Sequence, residues 1–183
     1  PKELLDVHPR GKSPVITDDD LTVAESGANV EYLIDKYGQG RFKPAEGDQA
    51  WLDYRYWMHH AEGSAMPPLV MKLVFTRIKE QKLPIVIKQI AHKIADTVLE
   101  SFVDPNVSRE MAHWEASLAA TGWFAGPDMT GADFMMIFPA EAALTRADAS
   151  ALPNLKAFVD RVHALPTYKR ALERGGPYDI IPK

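Results

Sequence analysis

The chain has 183 residues, with 21 Lys and Arg against 25 Asp and Glu, a formal net charge of −4 and no cysteine. At about 100–200 residues per domain, that is one large domain or two small ones with enough chain to bury a core. The charge and the lack of a basic block exclude sequence-independent nucleic-acid binding, ordinary hydrophobic content excludes wholesale disorder, and without cysteine there is no disulfide framework, thiolate zinc site or cysteine nucleophile in these residues.

No apolar run approaches the ~18 residues of a membrane helix, and the opening Pro1-Lys2-Glu3-Leu4-Leu5 has no signal-peptide pattern. The expectation is a soluble cytoplasmic protein with no nucleic-acid or membrane partner. The opening reads as a start in the middle of something.

In chain order, Val15-Ile16-Thr17 is short, apolar and β-rich, Asp18-Asp19-Asp20 supplies turn residues, and Leu21-Thr22-Val23 resumes the β pattern. That predicts a tight hairpin. Val30, Leu33, Ile34 and Tyr37 fall at i, i+3, i+4 and i+7, the stripe of an amphipathic helix, with Gly38 as its C-cap. Residues 39–47, with Gly40, Pro44 and Gly47, are turn-rich and read as a linker.

Everything beyond reads as helix. A long aromatic helix over 48–77 is expected to kink or break at Pro67-Pro68. Residues 84–102 carry an apolar stripe of Ile87, Ile90, Ala91 and Ile94, and Pro105-Asn106 lead into a further helix through Trp114 and Leu118. A loop over 122–128 precedes a helix over 130–144. Another over 153–165 puts Leu155, Phe158, Val159 and Val162 on one face, and Pro166 breaks it. Thr167 then caps a last short helix that ends at Gly175-Gly176. Strands only at the start and helices only later predict an α+β fold, with residues 1–38 and 48–183 as two domains joined by 39–47.

Two stretches are more specific than periodicity. Gly11-Lys12-Ser13-Pro14-Val15-Ile16 is followed by Glu25-Ser26, and Ala125-Gly126 by Thr130-Gly131-Ala132-Asp133 ahead of an apolar helix. The ordered set resembles the cytosolic glutathione transferases over essentially the whole chain. His8-Pro9-Arg10-Gly11-Lys12-Ser13-Pro14, Tyr56-Trp57-Met58-His59-His60-Ala61-Glu62-Gly63 and Gly175-Gly176-Pro177-Tyr178 are similar to a bacterial and fungal branch of that superfamily.

The resemblance implies a partial thioredoxin-like domain (hairpin plus helix) followed by an all-α domain. It also implies a homodimer that conjugates the glutathione thiolate to small hydrophobic electrophiles, with glutathione as co-substrate and no bound cofactor. In that family a β-α-β unit of ~30 or more residues precedes this point and carries the Tyr, Ser or Cys that contacts the thiol. No such unit is in this sequence, so the catalytic residue stays unassigned. The expectation is that these residues alone are poorly soluble and inactive or nearly so.

Carried over residue by residue, the resemblance implies glutathione anchors at Lys12, Ser13, Pro14, Glu25 and Ser26. It implies a cis Ser13–Pro14 bond that presents the Ser13 N–H and C=O to the cysteinyl part of the ligand, as an added strand would. The residues alone also allow a trans proline opening an edge strand. Glu25-Ser26 start a helix, whose free N–H groups and dipole favour an anion. Ser26 is implied to hold the γ-glutamyl carboxylate and Glu25 the amine, although an ordinary acidic helix start reads the same way. Lys12 is either a point charge near the glycyl carboxylate or a solvated lysine.

Tyr54, Trp57 and Met58 line the electrophile cleft by resemblance, or form plain helix–helix core. Thr130 and Asp133 fit a structural capping box, with Met129 and Phe134 at the staple positions. His59, His60 and Glu62 look metal-like. Adjacent helical residues point about 100° apart, however, and a metal needs three or four converging groups, so no metal site is expected. Arg170 and Arg174 suit a helix C-terminus. The rival readings are a non-catalytic transferase-like binding module, or another glutathione-dependent enzyme such as a peroxidase, dehalogenase or isomerase.

Overall fold

The computed structural model describes residues 2–145 and 149–176. These form two compact units, residues 2–59 with 123–136, and residues 60–122 with 137–145 and 149–176.

A short helix, α1 (Lys2–Val7), opens the chain where no helix was expected. Strands β1 (Val15–Asp18) and β2 (Leu21–Ala24) form the expected antiparallel hairpin. Its register runs from Val15 opposite Ala24 to Asp18 opposite Leu21. The two-residue turn places Asp19 at φ 51, a conformation short polar side chains tolerate.

Helix α2 (Ser26–Tyr37) packs on both strands and buries Asn29 and Ile34. The expected stripe is not its inner face, because Leu33 and Tyr37 are 44% and 53% exposed. Polar ties set the roll of the helix. The Asp18 carboxylate accepts from the Tyr32 hydroxyl at 2.8 Å, from Lys36 Nζ at 2.8 Å and from the Tyr37 hydroxyl. These bonds, that from Lys36 first, hold the Asp18 carboxyl down at about 2. Gly38 ends α2 with a right-handed φ of −73. A Cβ there would collide with the Ile34 carbonyl oxygen, so lack of space and not positive φ requires glycine.

Helix α3 (Gln49–His60) runs through one π turn, Ala61–Ala65, into α4 (Met66–Glu80). Pro67 and Pro68 therefore do not break the helix. A proline inside a helix lacks an N–H and clashes with the carbonyl four residues back. The π turn widens the helix just before the two rings, and Met66 N–H reaches the Ala61 carbonyl. The solution recurs in α5 (Ile85–Val98), a π turn at Leu99–Val103 and α6 (Asp104–Thr121), where Pro105 sits in the first turn of α6.

The isoleucine stripe of α5 faces outward. Ile87, Ile90 and Ile94 are 54%, 58% and 58% exposed, while Ala95 of α5 and Leu99 and Val103 of the π turn after it are buried. Gly122 ends α6 in the left-handed conformation, φ 80, and its N–H bonds the Leu118 carbonyl at 2.9 Å.

Helix α7 (Gly131–Leu144) follows the loop. Helix α8 (Pro153–Ala164) buries Leu155, Phe158, Val159 and Val162 as expected. Pro166 does not merely stop α8. It opens α9 (Pro166–Gly175) from the first helical position, with Leu165 and not Thr167 at the N-cap. Pro177 and Tyr178 lie outside the described residues. Among the described residues no helix is long and apolar enough to cross a membrane.

Candidate functional site

The hairpin register places the candidate anchors. The ladder ends with Val15 opposite Ala24, and Pro14 and Glu25 are the next residues beyond that pair. Ser13-Pro14 and Glu25-Ser26 thus meet at the open end of the hairpin, where α2 begins. The Ser13–Pro14 peptide bond is cis. Lys12, Ser13, Pro14 and Glu25 are exposed, and Ser26 is half-buried.

Glu25 occupies the N-cap of α2 with φ 80 and no side-chain cap bond. A non-glycine residue held there is strained, and such residues concentrate at functional sites. Ser26 is the first helical residue, so its N–H is one of those an α-helix leaves without an internal partner.

The Glu25 carboxylate accepts an ion pair from the Arg10 guanidinium. Sequence reasoning missed Arg10. It stands inside the His8–Pro14 motif, but its partner is remote in sequence and a lone arginine reads as surface charge. Gly11 follows at φ 57, with no room for a Cβ against the Leu5 side chain.

The second motif is built around a buried carboxylate. Asp133, 1% exposed, accepts from Thr130 N–H at 2.8 Å, from the Thr130 hydroxyl at 3.1 Å and from Phe124 N–H at 2.9 Å. The carboxylate reaches back as a capping box requires, but the Thr130 hydroxyl donates instead of accepting. Asp133 N–H goes to the Thr130 carbonyl at 3.1 Å. A desolvated carboxylate needs every donor within reach. Burial pushes the Asp133 carboxyl up, against the pull of these bonds. Gly131 is required by space: the Ile34 and Val30 side chains and the Tyr54 hydroxyl crowd the place of its missing Cβ. Its N–H bonds the Phe42 carbonyl at 2.8 Å.

The two motifs fall in two known domains. Residues 1–35 match the N-terminal domain of glutathione S-transferases, and residues 81–174 match their C-terminal domain. The chain belongs to the glutathione S-transferase family of enzymes.

Glutathione S-transferase 3 of Schizosaccharomyces pombe is 33% identical over 177 residues, which is 95% of this chain and 72% of that protein. The crystal structure of a glutathione S-transferase from Actinobacillus pleuropneumoniae superposes with a TM-score of 0.71 at 30% identity, over 98% of this chain and 77% of that one. A sphingomonad glutathione S-transferase complexed with glutathione superposes with a TM-score of 0.70 at 22% identity, over 95% and 79%. The fold of this family member is accordingly a thioredoxin-like N-terminal part, represented by the hairpin and α2, followed by an all-helical domain.

Tyr54, Trp57 and Met58 are buried, at 0%, 4% and 6% exposure. Trp57 packs on Phe124 with ring centroids 4.6 Å apart. Among the described residues the Tyr54 hydroxyl has no hydrogen-bond partner, and burial, with the Glu31 and Asp35 charges, pushes it up to about 12. It is a neutral phenol in the core. These three side chains lie in the interior of their unit.

His60 is likewise buried. Its Nε2 accepts the Trp114 indole N–H at 2.9 Å, so the ring is neutral with its proton on Nδ1. Glu110 Oε2 at 3.1 Å from the same nitrogen is then not a salt-bridge partner at neutral pH. Burial, with His113, pushes His60 down to about 4, in accord with the neutral ring. Among the described residues no group of three or more His, Asp or Glu is placed to hold a metal ion.

Proposed function

We propose that this protein binds glutathione at the open end of the hairpin and adds its thiolate to small hydrophobic electrophiles. The observation that supports the reading is the pairing of Val15 with Ala24, which leaves Ser13-Pro14 and Glu25-Ser26 as the flanking residues of the hairpin's open end, with Ser26 opening a twelve-residue helix. The names of the relatives and the glutathione held by the sphingomonad structure support it.

Glutathione is an extended tripeptide with two carboxylates and an amine. The Ser13 main chain pairs with its cysteinyl residue in the manner of an added strand. The Ser26 hydroxyl and N–H take the γ-glutamyl carboxylate at the positive end of α2. Glu25 accepts from the amine, and Arg10 holds the carboxylate in place for it. A carboxylate has about four acceptor positions, so the ion pair leaves room for the ligand. Lys12 supplies a point charge near the glycyl carboxylate.

Chemistry follows from the bound thiolate, the nucleophilic form of the sulfur. With an activated aryl chloride, sulfur attacks the carbon that bears chlorine, a carbon–sulfur bond forms, and chloride leaves. Orientation and stabilisation of the developing charge lower the barrier. No thiol-activating residue is assigned within residues 1–183. In this reading residues 1–38 bind glutathione, 39–47 link, and 48–183 form the helical domain of a cytoplasmic homodimer. The exposed apolar side chains of α4 and α5, among them Val70, Val74 and Ile90, suit the contact between copies.

The test is a panel of electrophiles with the purified intact protein, since residues 1–183 alone are expected to turn over little. Glutathione-dependent thioether formation from an activated aryl chloride, with kcat/KM for glutathione falling about tenfold in Ser26→Ala, is the expected result. Turnover of hydroperoxides alone, or glutathione binding with no turnover of any electrophile, overturns the conjugation reading.

A further inference from the structure

We propose that the far end of the helical hairpin made by α4 and α5 docks on the surface of an anionic lipid bilayer. All seven residues from Pro84 to Ile90 are exposed. Ile85 and Val86, at 77% and 69%, are the most exposed large apolar side chains among the described residues, and Ile87 follows at 54%. These three are consecutive. Side chains on neighbouring helical residues point about 100° apart, so together they cover more than half of the circumference of the first turn of α5. A protein face covers one stripe of a helix, whereas a lipid surface can surround an end. Val70, Val74 and Ile90, which suit the contact between copies, play no part in it.

Charge selects the kind of surface. Residues 77–93 carry Arg77, Lys79, Lys82, Lys88 and Lys93 against Glu80, a net charge of +4 in a chain whose total is −4. Lys79 is taken up inside the helical hairpin, by Asp96 at 2.6 Å. Lys82 and Lys88 are exposed and make no ion pair among the described residues. Lys82 precedes Ile85 by three residues. Lys88 follows it by three, about 4.5 Å along the helix axis. Lysines so placed lay their stems along apolar surface and hold the ammonium among the headgroups, where anionic lipids attract it. A basic helix with an exposed apolar face is the pattern of a segment that rests on a membrane surface.

The end is tied in place and limited in depth. His92 Nε2 donates to the Lys79 carbonyl at 2.8 Å, which with the Lys79–Asp96 pair fastens α5 to α4. The first N–H groups of α5 have no partner within the helix, and a hydrocarbon interior would leave them unpaired. The end therefore stops at the boundary between headgroups and acyl chains, where headgroup oxygens accept from them. Such a segment lies on a bilayer without crossing it. The lack of a spanning length, on which the expectation of no membrane partner rested, does not bear on it.

The test is co-sedimentation of the intact protein with vesicles of phosphatidylcholine, with and without phosphatidylserine, beside light scattering for the oligomeric state. One variant combines Ile85→Ser with Val86→Ser, and the other combines Lys82→Gln with Lys88→Gln, all at exposed positions. The wild type is expected to bind the vesicles that contain phosphatidylserine and not those of phosphatidylcholine alone. Binding is expected to weaken about tenfold in the serine variant and about tenfold in the glutamine variant, with oligomeric state and glutathione-dependent turnover unchanged in both. No binding of the wild type to phosphatidylserine vesicles, or equal binding by either variant, overturns the proposal. So does a change of oligomeric state in the serine variant, which would assign the end to a contact between copies.

Discussion

Arg10 holds the carboxylate of Glu25 across the open end of the hairpin, and both side chains are largely solvent-exposed. An exposed pair contributes about 0–1 kcal/mol to stability, so its consequence is positional. Arg10→Gln is expected to leave the melting temperature within ~2 °C of the wild type while glutathione binding weakens several-fold, because the Glu25 side chain is then free to leave the ligand's amine. Calorimetric titration beside a thermal melt checks this. Unchanged affinity contradicts a positioning role for Arg10.

Asp133 ties the loop at Phe124 to the start of α7. Asp133→Ala strips acceptors from two main-chain N–H groups and removes a carboxylate whose burial is itself unfavourable. The balance is a loss of about 2 kcal/mol, with glutathione affinity changed less than stability. A melting temperature equal to the wild type counts against the box. The raised carboxyl also gives a sign: its contribution is full below the usual value near 3.8 and declines as pH rises through the folded value.

Glu115, on α6, caps a helix that begins far along the chain. Its carboxylate accepts Asn154 N–H at 2.9 Å, Leu155 N–H at 2.8 Å and the Asn154 side-chain amide at 2.7 Å. Three bonds and a negative charge at a helix N-terminus predict that Glu115→Ala lowers stability by about 2 kcal/mol. Glu115→Gln should lose less, since it keeps one oxygen. Urea denaturation of the three proteins compares them, and equal midpoints contradict the capping role.

His60 makes stability depend on acid. The unfolded chain takes up a proton near 6.5, and the folded ring takes it only at about 4. The contribution is therefore full above pH 6.5 and is lost as pH falls from 6.5 to about 4. Denaturation midpoints of the wild type should fall across that window more steeply than those of His60→Gln. Parallel curves rule out His60 as the source.

The parts of the fold set by local chemistry were legible in the sequence. The run Asp18-Asp19-Asp20 marked the turn of the hairpin, and with it the pairing of Val15 with Ala24 at the open end. Thr130 and Asp133 announced the start of α7, and one apolar face of α8 was readable from its period. What failed depends on partners. Periodicity places Ile87, Ile90 and Ile94 on one stripe but does not say which stripe turns inward. The prolines at 67, 68 and 105 signal a break, and a π turn ahead of each is a backbone solution with no residue signature. Arg10 and Glu115 act on groups remote in sequence, so neither carried a local mark. Tyr54, Trp57 and Met58 have the residue types of a ligand pocket and of a core alike, and their burial was not readable from residue type.

The most direct measurement is calorimetric titration of glutathione into the wild type and Ser26→Ala. The account predicts saturable one-site binding by the wild type, about tenfold weaker in the variant, with the same melting temperature for both. Absence of binding by the wild type, or equal affinity in Ser26→Ala, would contradict the placement of the site at the open end of the hairpin.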